Sequence, residues 1–136
     1  MASILKVDAL QGVTSAGDIT VTSEGGSATQ SLQQGLAKAW INFEASTPST
    51  RDSFNHSAIT DNGTGNFTLN FSSAFASADR SSTTCSGYRT TAVAYEMCTK
   101  NTPTTTAQEV WLYYSLNGSV NDTPGDNMMT SQGDLA

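Results

Sequence analysis

From Ala39 onward, apolar residues return at every second position, and this period constrains the fold more than any other feature of the chain. Ala39, Ile41 and Phe43 alternate with Trp40 and Asn42. A second run, Ser53 to Thr60, sets Phe54, His56 and Ala58 on one face and Ile59 on the other. It is followed by Asp61-Asn62-Gly63-Thr64-Gly65, in which Asn and Gly tolerate the positive φ that tight hairpins demand. In the next run, Asn66 to Phe71, the residues Phe67, Leu69 and Phe71 oppose Asn66, Thr68 and Asn70. Tyr88 to Met97 repeats the pattern with Val93, Tyr95 and Met97. Gln108 to Leu116 places Val110, Leu112, Tyr114 and Leu116 opposite Trp111 and Tyr113. Ala74 to Asp79 has room for one helical turn, and the Thr-rich stretch 102–106 reads as a loop. Short strands with one apolar face each predict a mainly β chain, an antiparallel β-sandwich or small barrel.

The first part of the chain follows other rules. Ile4 to Val7 alternates weakly, and Ile19 to Thr22 is a strand candidate closed by Glu24-Gly25-Gly26. Neither is long enough to stand alone, so residues 1–27 read either as an extended arm that needs a partner surface or as a loose tail. Ala28 to Ala39 is the helix candidate. Leu32, Leu36 and Trp40 recur every four residues and would line one side of it, although Gly35 costs about 1 kcal/mol relative to Ala. That stripe would either pack on the domain's own sheet or form the seam of a small oligomer. The β domain with its leading short helix is expected over 28–118. Residues 119–136, with few apolar side chains beyond Met128, Met129 and Leu135, are expected to form a polar tail.

Composition narrows the function classes. Charged residues are 13% of the chain, about half the usual quarter, so the surface is polar through hydroxyls and amides. The net charge is −6, and Lys6, Lys38, Arg51, Arg80, Arg89 and Lys100 are scattered. Nucleic-acid binding needs a concentrated basic face and is not expected. No apolar run is long enough to span a bilayer, so membrane insertion is not expected either. The opening Met1 to Gly12 lacks the charged and apolar regions of a secretory leader, which predicts cytosolic synthesis. Cys85 and Cys98 are expected to be reduced and partly buried, the alternative being a disulfide formed after release from the cell.

Catalytic and metal-binding motifs are missing. The single histidine, His56, has no G-x-S-x-G elbow to serve, and the Glu24-Gly25-Gly26 turn lacks the lysine of a phosphate-binding loop. Asp122 and Asp126 flank a Pro-Gly turn without EF-hand spacing. Two cysteines and one histidine do not make a structural zinc site. The expectation is a protein that is not an enzyme and holds no cofactor or metal. Tyr88, Trp111 and Tyr113 are the candidate contact residues: on an outer sheet face they would stack on sugar rings or meet another subunit, and otherwise they are core.

Several runs resemble those of small structural proteins of marine and freshwater tailed bacteriophages, of the kinds infecting cyanobacteria and SAR11-type bacteria. They are Ile4 to Asp8, Ile19 to Gly26, Leu32 to Trp40, Arg51 to Asn55 and Ile59 to Gly65, spread over roughly half the chain. The resemblance implies a virion protein made in the host cytoplasm: a short tail or head fibre with a part in host attachment, or a capsid decoration or cement protein. It further implies a homotrimer that contacts other virion proteins and a host-surface glycan or protein. Ile4, Leu5, Val7, Leu10, Ile19 and Val21 would then attach the arm to the particle. Leu32, Leu36 and Trp40 would form the trimer seam.

Overall fold

A computed structural model describes residues 4–12, 19–22, 25–87, 94–100 and 103–136. The chain divides into two compact units, Met1–Leu36 and Ala37–Ala136.

In the first unit, strand β1 (Thr20–Thr22) pairs antiparallel with β2 (Thr29–Ser31), Val21 lying opposite Gln30. A single helical turn, α1 (Leu32–Gly35), follows at once, and the Ser31 hydroxyl accepts from Gln34 N at its start. The helix expected over 28–39 is therefore cut to one turn. Leu36 is already extended at φ −96° and ψ 143°. The four-residue spacing misled because four is a multiple of two as well as close to the helical period. Trp40 consequently leaves the stripe and sits in a strand of the second unit.

That second unit is an antiparallel β-sandwich. Its strands are β3 (Ala39–Glu44), β4 (Ser49–Phe54), β5 (Ala58–Asp61), β6 (Asn66–Asn70), β7 (Ser81–Ser86), β8 (Tyr95–Thr99), β9 (Ala107–Tyr114) and β10 (Asn127–Gln132). One sheet has the order β4-β3-β10-β7 and the other β5-β6-β9-β8. The alternation seen in the sequence faces the two sheets toward each other. Ile41, Phe43 and Met129 come from the first sheet; Phe67, Leu69, Met97, Val110 and Leu112 come from the second, and all are buried. Phe43 and Phe67 meet edge to face across the gap, with ring centroids 5.7 Å apart. Burying each such ring is worth about 1.5–3 kcal/mol, and the aromatic pairing adds about 0.5–1.5 kcal/mol.

Arg80 closes the end of the sandwich. Its guanidinium lies over the rings of Phe71 and Phe75, at 4.8 and 4.9 Å from their centroids. It donates to Thr104 O, Ala107 O and Gln108 Oε1. The planar fork of arginine can serve three acceptors at once while stacking on apolar surface, which lysine could not do.

Several expectations are corrected by these pairings. The polar tail expected over 119–136 contains β10, a central strand between β3 and β7. It escaped notice because its inward positions are Asn127, Met129 and Ser131. Asn127 is buried at no cost in lost hydrogen bonds: it accepts from Ser86 and Thr123 and donates to the Phe43 and Gly125 carbonyls. The run 53–60 is two strands. Asn55, at φ +53°, turns the chain between them, so Phe54 ends β4 in one sheet and Ala58 starts β5 in the other. Phe54, His56 and Ala58 thus share no strand face. Of the strand expected over 88–97, residues 88–93 lie outside the described part. Leu116 stands in a turn, 73% exposed.

The cysteines are free, yet exposed instead of partly buried. Cys85 is on β7 and Cys98 on β8, the outer-edge strands of different sheets, and each points away from the core.

Candidate ligand-binding face

The outer face of the β5-β6-β9-β8 sheet is built by the same alternation that fills the core. Along β9, Gln108, Val110 and Leu112 point inward, which turns Glu109, Trp111 and Tyr113 outward. Register supplies their neighbours. On the β6 side, Asn66 is opposite Trp111 and Thr68 opposite Glu109. On the β8 side, Cys98 is opposite Trp111 and Glu96 opposite Tyr113.

The Trp111 and Tyr113 rings lie 5.5 Å apart, tilted by 37°. Lys100 borders them, its Nζ 2.6 Å from Glu109 Oε1 and 5.4 Å from the centre of the Trp111 ring. Partial desolvation, and then the neighbouring Cys98, push the Tyr113 phenol above its ordinary value, so at neutral pH it carries its proton. Further out, Asn62 Nδ2 donates to Thr68 Oγ1 and Asn70 Nδ2 to Thr60 Oγ1, fixing the amides by cross-strand bonds. Two buried polar atoms in this row, Asn66 Oδ1 and Trp111 Nε1, have no hydrogen-bond partner. Native structures tolerate few such atoms, and they mark functional or hydrated positions.

One rim of the face depends on a glycine. Gly65 accepts from Leu112 N and donates to Asp122 Oδ1, while Asn121 N donates to Leu112 O. A Cβ on Gly65 would lie 2.7 Å from Leu112 O and 2.8 Å from Asn121 N. Its φ of +66° is equally suited to glycine. This close approach joins the hairpin turn after β5 to the segment 119–121 beside Tyr113.

The opposite sheet presents a different surface. Trp40 pairs with Phe54 across β3 and β4, and Phe54 is 51% exposed. A register shift between Asn42 and Phe43 leaves Arg51 as the extra residue of a bulge. Arg51 pairs there with Glu44 and with Asp126 Oδ1, the latter at 2.9 Å, and Asn42 donates to the same Asp126 oxygen. The Ser46 hydroxyl and then Arg51 hold the Glu44 carboxyl below its ordinary value. Asp122 and Asp126 thus serve a backbone amide and an ion pair. Among the described residues, no group of three or more His, Cys, Asp and Glu is arranged to hold a metal.

The first unit gathers many of the other residues singled out in the sequence. Val7, Leu10, Ile19, Leu32 and Leu36 line one cleft of about 510 Å³. Ile4, Leu5 and Val21 are outside it, and Ile4 and Leu5 are more than three-quarters exposed. Three of the expected arm contacts, Val7, Leu10 and Ile19, thus share a cleft with the first two expected seam positions, while Trp40 belongs to the second unit. Tyr88 lies outside the described residues.

No protein family, curated protein or solved structure matches this chain.

Proposed function

We propose that this chain is a structural protein of a tailed-phage particle, a short tail or head fibre whose arm docks and whose sandwich is displayed. One observation carries the reading: the two units are built to opposite standards. The sandwich has a closed core of its own, whereas α1 buries no residue and Ile4, Leu5, Val7, Leu10 and Val21 are at least half exposed. Apolar side chains left uncovered in this density mark a surface made to be covered in an assembly. A charge-poor surface of hydroxyls and amides suits display. The partners in this reading are two further copies of the chain, other virion proteins, and a glycan or protein on the host surface.

The reading includes no catalytic step. His56 is half-buried, burial lowers its pKa, and its Nε2 has no hydrogen-bond partner.

The test is the mass of the full chain in solution by light scattering, beside a Val7→Asp, Leu10→Asp double variant. A trimer that falls to a monomer in the variant is expected. A wild-type monomer sinks the trimer. Mass spectrometry of purified particles then decides location. Copies few relative to the major capsid protein place the chain on the tail or a vertex, and comparable numbers make it a capsid decoration. Absence from particles ends the virion reading.

A further inference from the structure

We infer that the outer face of the β5-β6-β9-β8 sheet, centred on Trp111 and Tyr113, binds the pyranose rings of an uncharged polysaccharide. The inference rests on the display reading for its biological sense and on the geometry of the sandwich for its chemistry.

A sugar ring is amphipathic. Its C–H face is apolar and its rim is a ring of hydroxyls, each able to donate and accept. A surface that recognises it therefore needs an aromatic floor with fixed polar groups at its edge. Trp111 and Tyr113 supply two rings 5.5 Å apart, a floor continuous enough for one sugar. Asn66, Thr68 and Glu109 stand along it on neighbouring register positions, and Lys100 is held at the border by its bond to Glu109. The cross-strand bonds of Asn62 and Asn70 fix the outlying amides before any ligand arrives, which lowers the entropic cost of binding. Asn66 and Trp111 are direct register partners, and Asn66 Oδ1 and Trp111 Nε1 are buried without a hydrogen-bond partner.

Other occupants fit less well. Nucleic acid offers the same stacking, but Glu96 and Glu109 against Lys100, on a chain of net charge −6, repel phosphate. The same charges disfavour uronic and sialic acids, which leaves neutral hexoses. A protein partner needs about 800 Å² per side with an apolar centre, and the apolar part of this face is two half-buried rings. Phe54 pairs with Trp40 on the opposite sheet and has no hydrogen-bonding group, which makes it the internal control.

The experiment is native affinity electrophoresis of the full chain through gels cast with dextran, mannan or galactan, and with alginate as the acidic contrast. Retardation by at least one neutral polymer is expected, weakened about tenfold or more by Trp111→Ala. Tyr113→Ala should weaken it as well, Trp111→Phe should keep part of it, and Phe54→Ala should leave it unchanged. Circular dichroism checks that each variant is folded. If Trp111→Ala is not, Tyr113→Ala carries the comparison. No retardation by any neutral polymer overturns the inference, as does retardation by alginate alone or equal loss in the Phe54 variant. Binding is read on isolated protein, so a monomeric chain or one absent from particles would sink the display reading and leave this result standing.

Discussion

Gly65 and Gly118 have nearly the same φ, +66° and +69°, in entirely different surroundings. Replacing each with alanine therefore separates conformational strain from steric exclusion. At Gly118 a Cβ meets nothing within 4 Å. Its cost is left-handed strain of about 1–2 kcal/mol, offset by about 0.4–1 kcal/mol because alanine also restricts the unfolded chain. The net expectation for Gly118→Ala is about 0.5–1 kcal/mol. Gly65→Ala carries the same balance and adds a Cβ lying 2.7 Å from Leu112 O and 2.8 Å from Asn121 N. Those atoms are backbone and cannot rotate away. The segment 119–121 must shift, weakening the Leu112–Gly65 and Asn121–Leu112 bonds, each worth about 0.5–1.5 kcal/mol. Gly65→Ala should thus cost about 2–4 kcal/mol. Urea unfolding measures both variants, with an unchanged slope confirming that the same surface is exposed. Equal costs at the two positions would refute the reasoning, because they would mean that the contact between Gly65 and 119–121 yields freely.

Three further predictions follow from charge and exposure. Burial lowers the His56 pKa, so the folded state takes up a proton less readily than the unfolded chain. Stability should therefore fall as pH drops below about 6.5, and His56→Gln should flatten that part of the urea-midpoint profile. The Glu44 pKa is also lowered, chiefly by Ser46 and Arg51, so its contribution is complete above about 4.5 and lost below it, a window separate from that of His56. Both thiols of the native protein should react with a disulfide reagent without denaturant, since Cys85 and Cys98 are exposed on different sheets. A thiol that reacts only after unfolding would contradict this placement.

Much of the sandwich was legible because one face of β3, β6 and β9 is apolar and the other is not. The β5–β6 hairpin could be read from Asn62, Gly63 and Gly65 alone, and the structure closes it with Asp61 Oδ1 accepting from Gly63 N. The strands β7 and β10 were hidden because their inward residues include Ser82, Ser86, Asn127 and Ser131, joined by cross-strand hydrogen bonds that a local pattern does not encode. The alternation also left open whether Trp111 and Tyr113 were core or surface. Packing of Val110 and Leu112 against the other sheet turns them outward. Their companions Asn66, Glu96 and Lys100 come from other strands, and only the register brings them together.

The position of β10 has a consequence for biosynthesis. It is made after every other strand of the sandwich, yet it fills the centre of its sheet, bonded to β3 on one side and β7 on the other. Until residues 127–132 emerge, β7 has no neighbour in that sheet and the Ile41–Phe43 layer stays incomplete. Completion of the sandwich therefore waits for β10 and is governed by long-range pairing. A chain interrupted before residue 127 would lack the strand that joins β3 to β7 and would leave its core layer open, a defect that degradation could recognise.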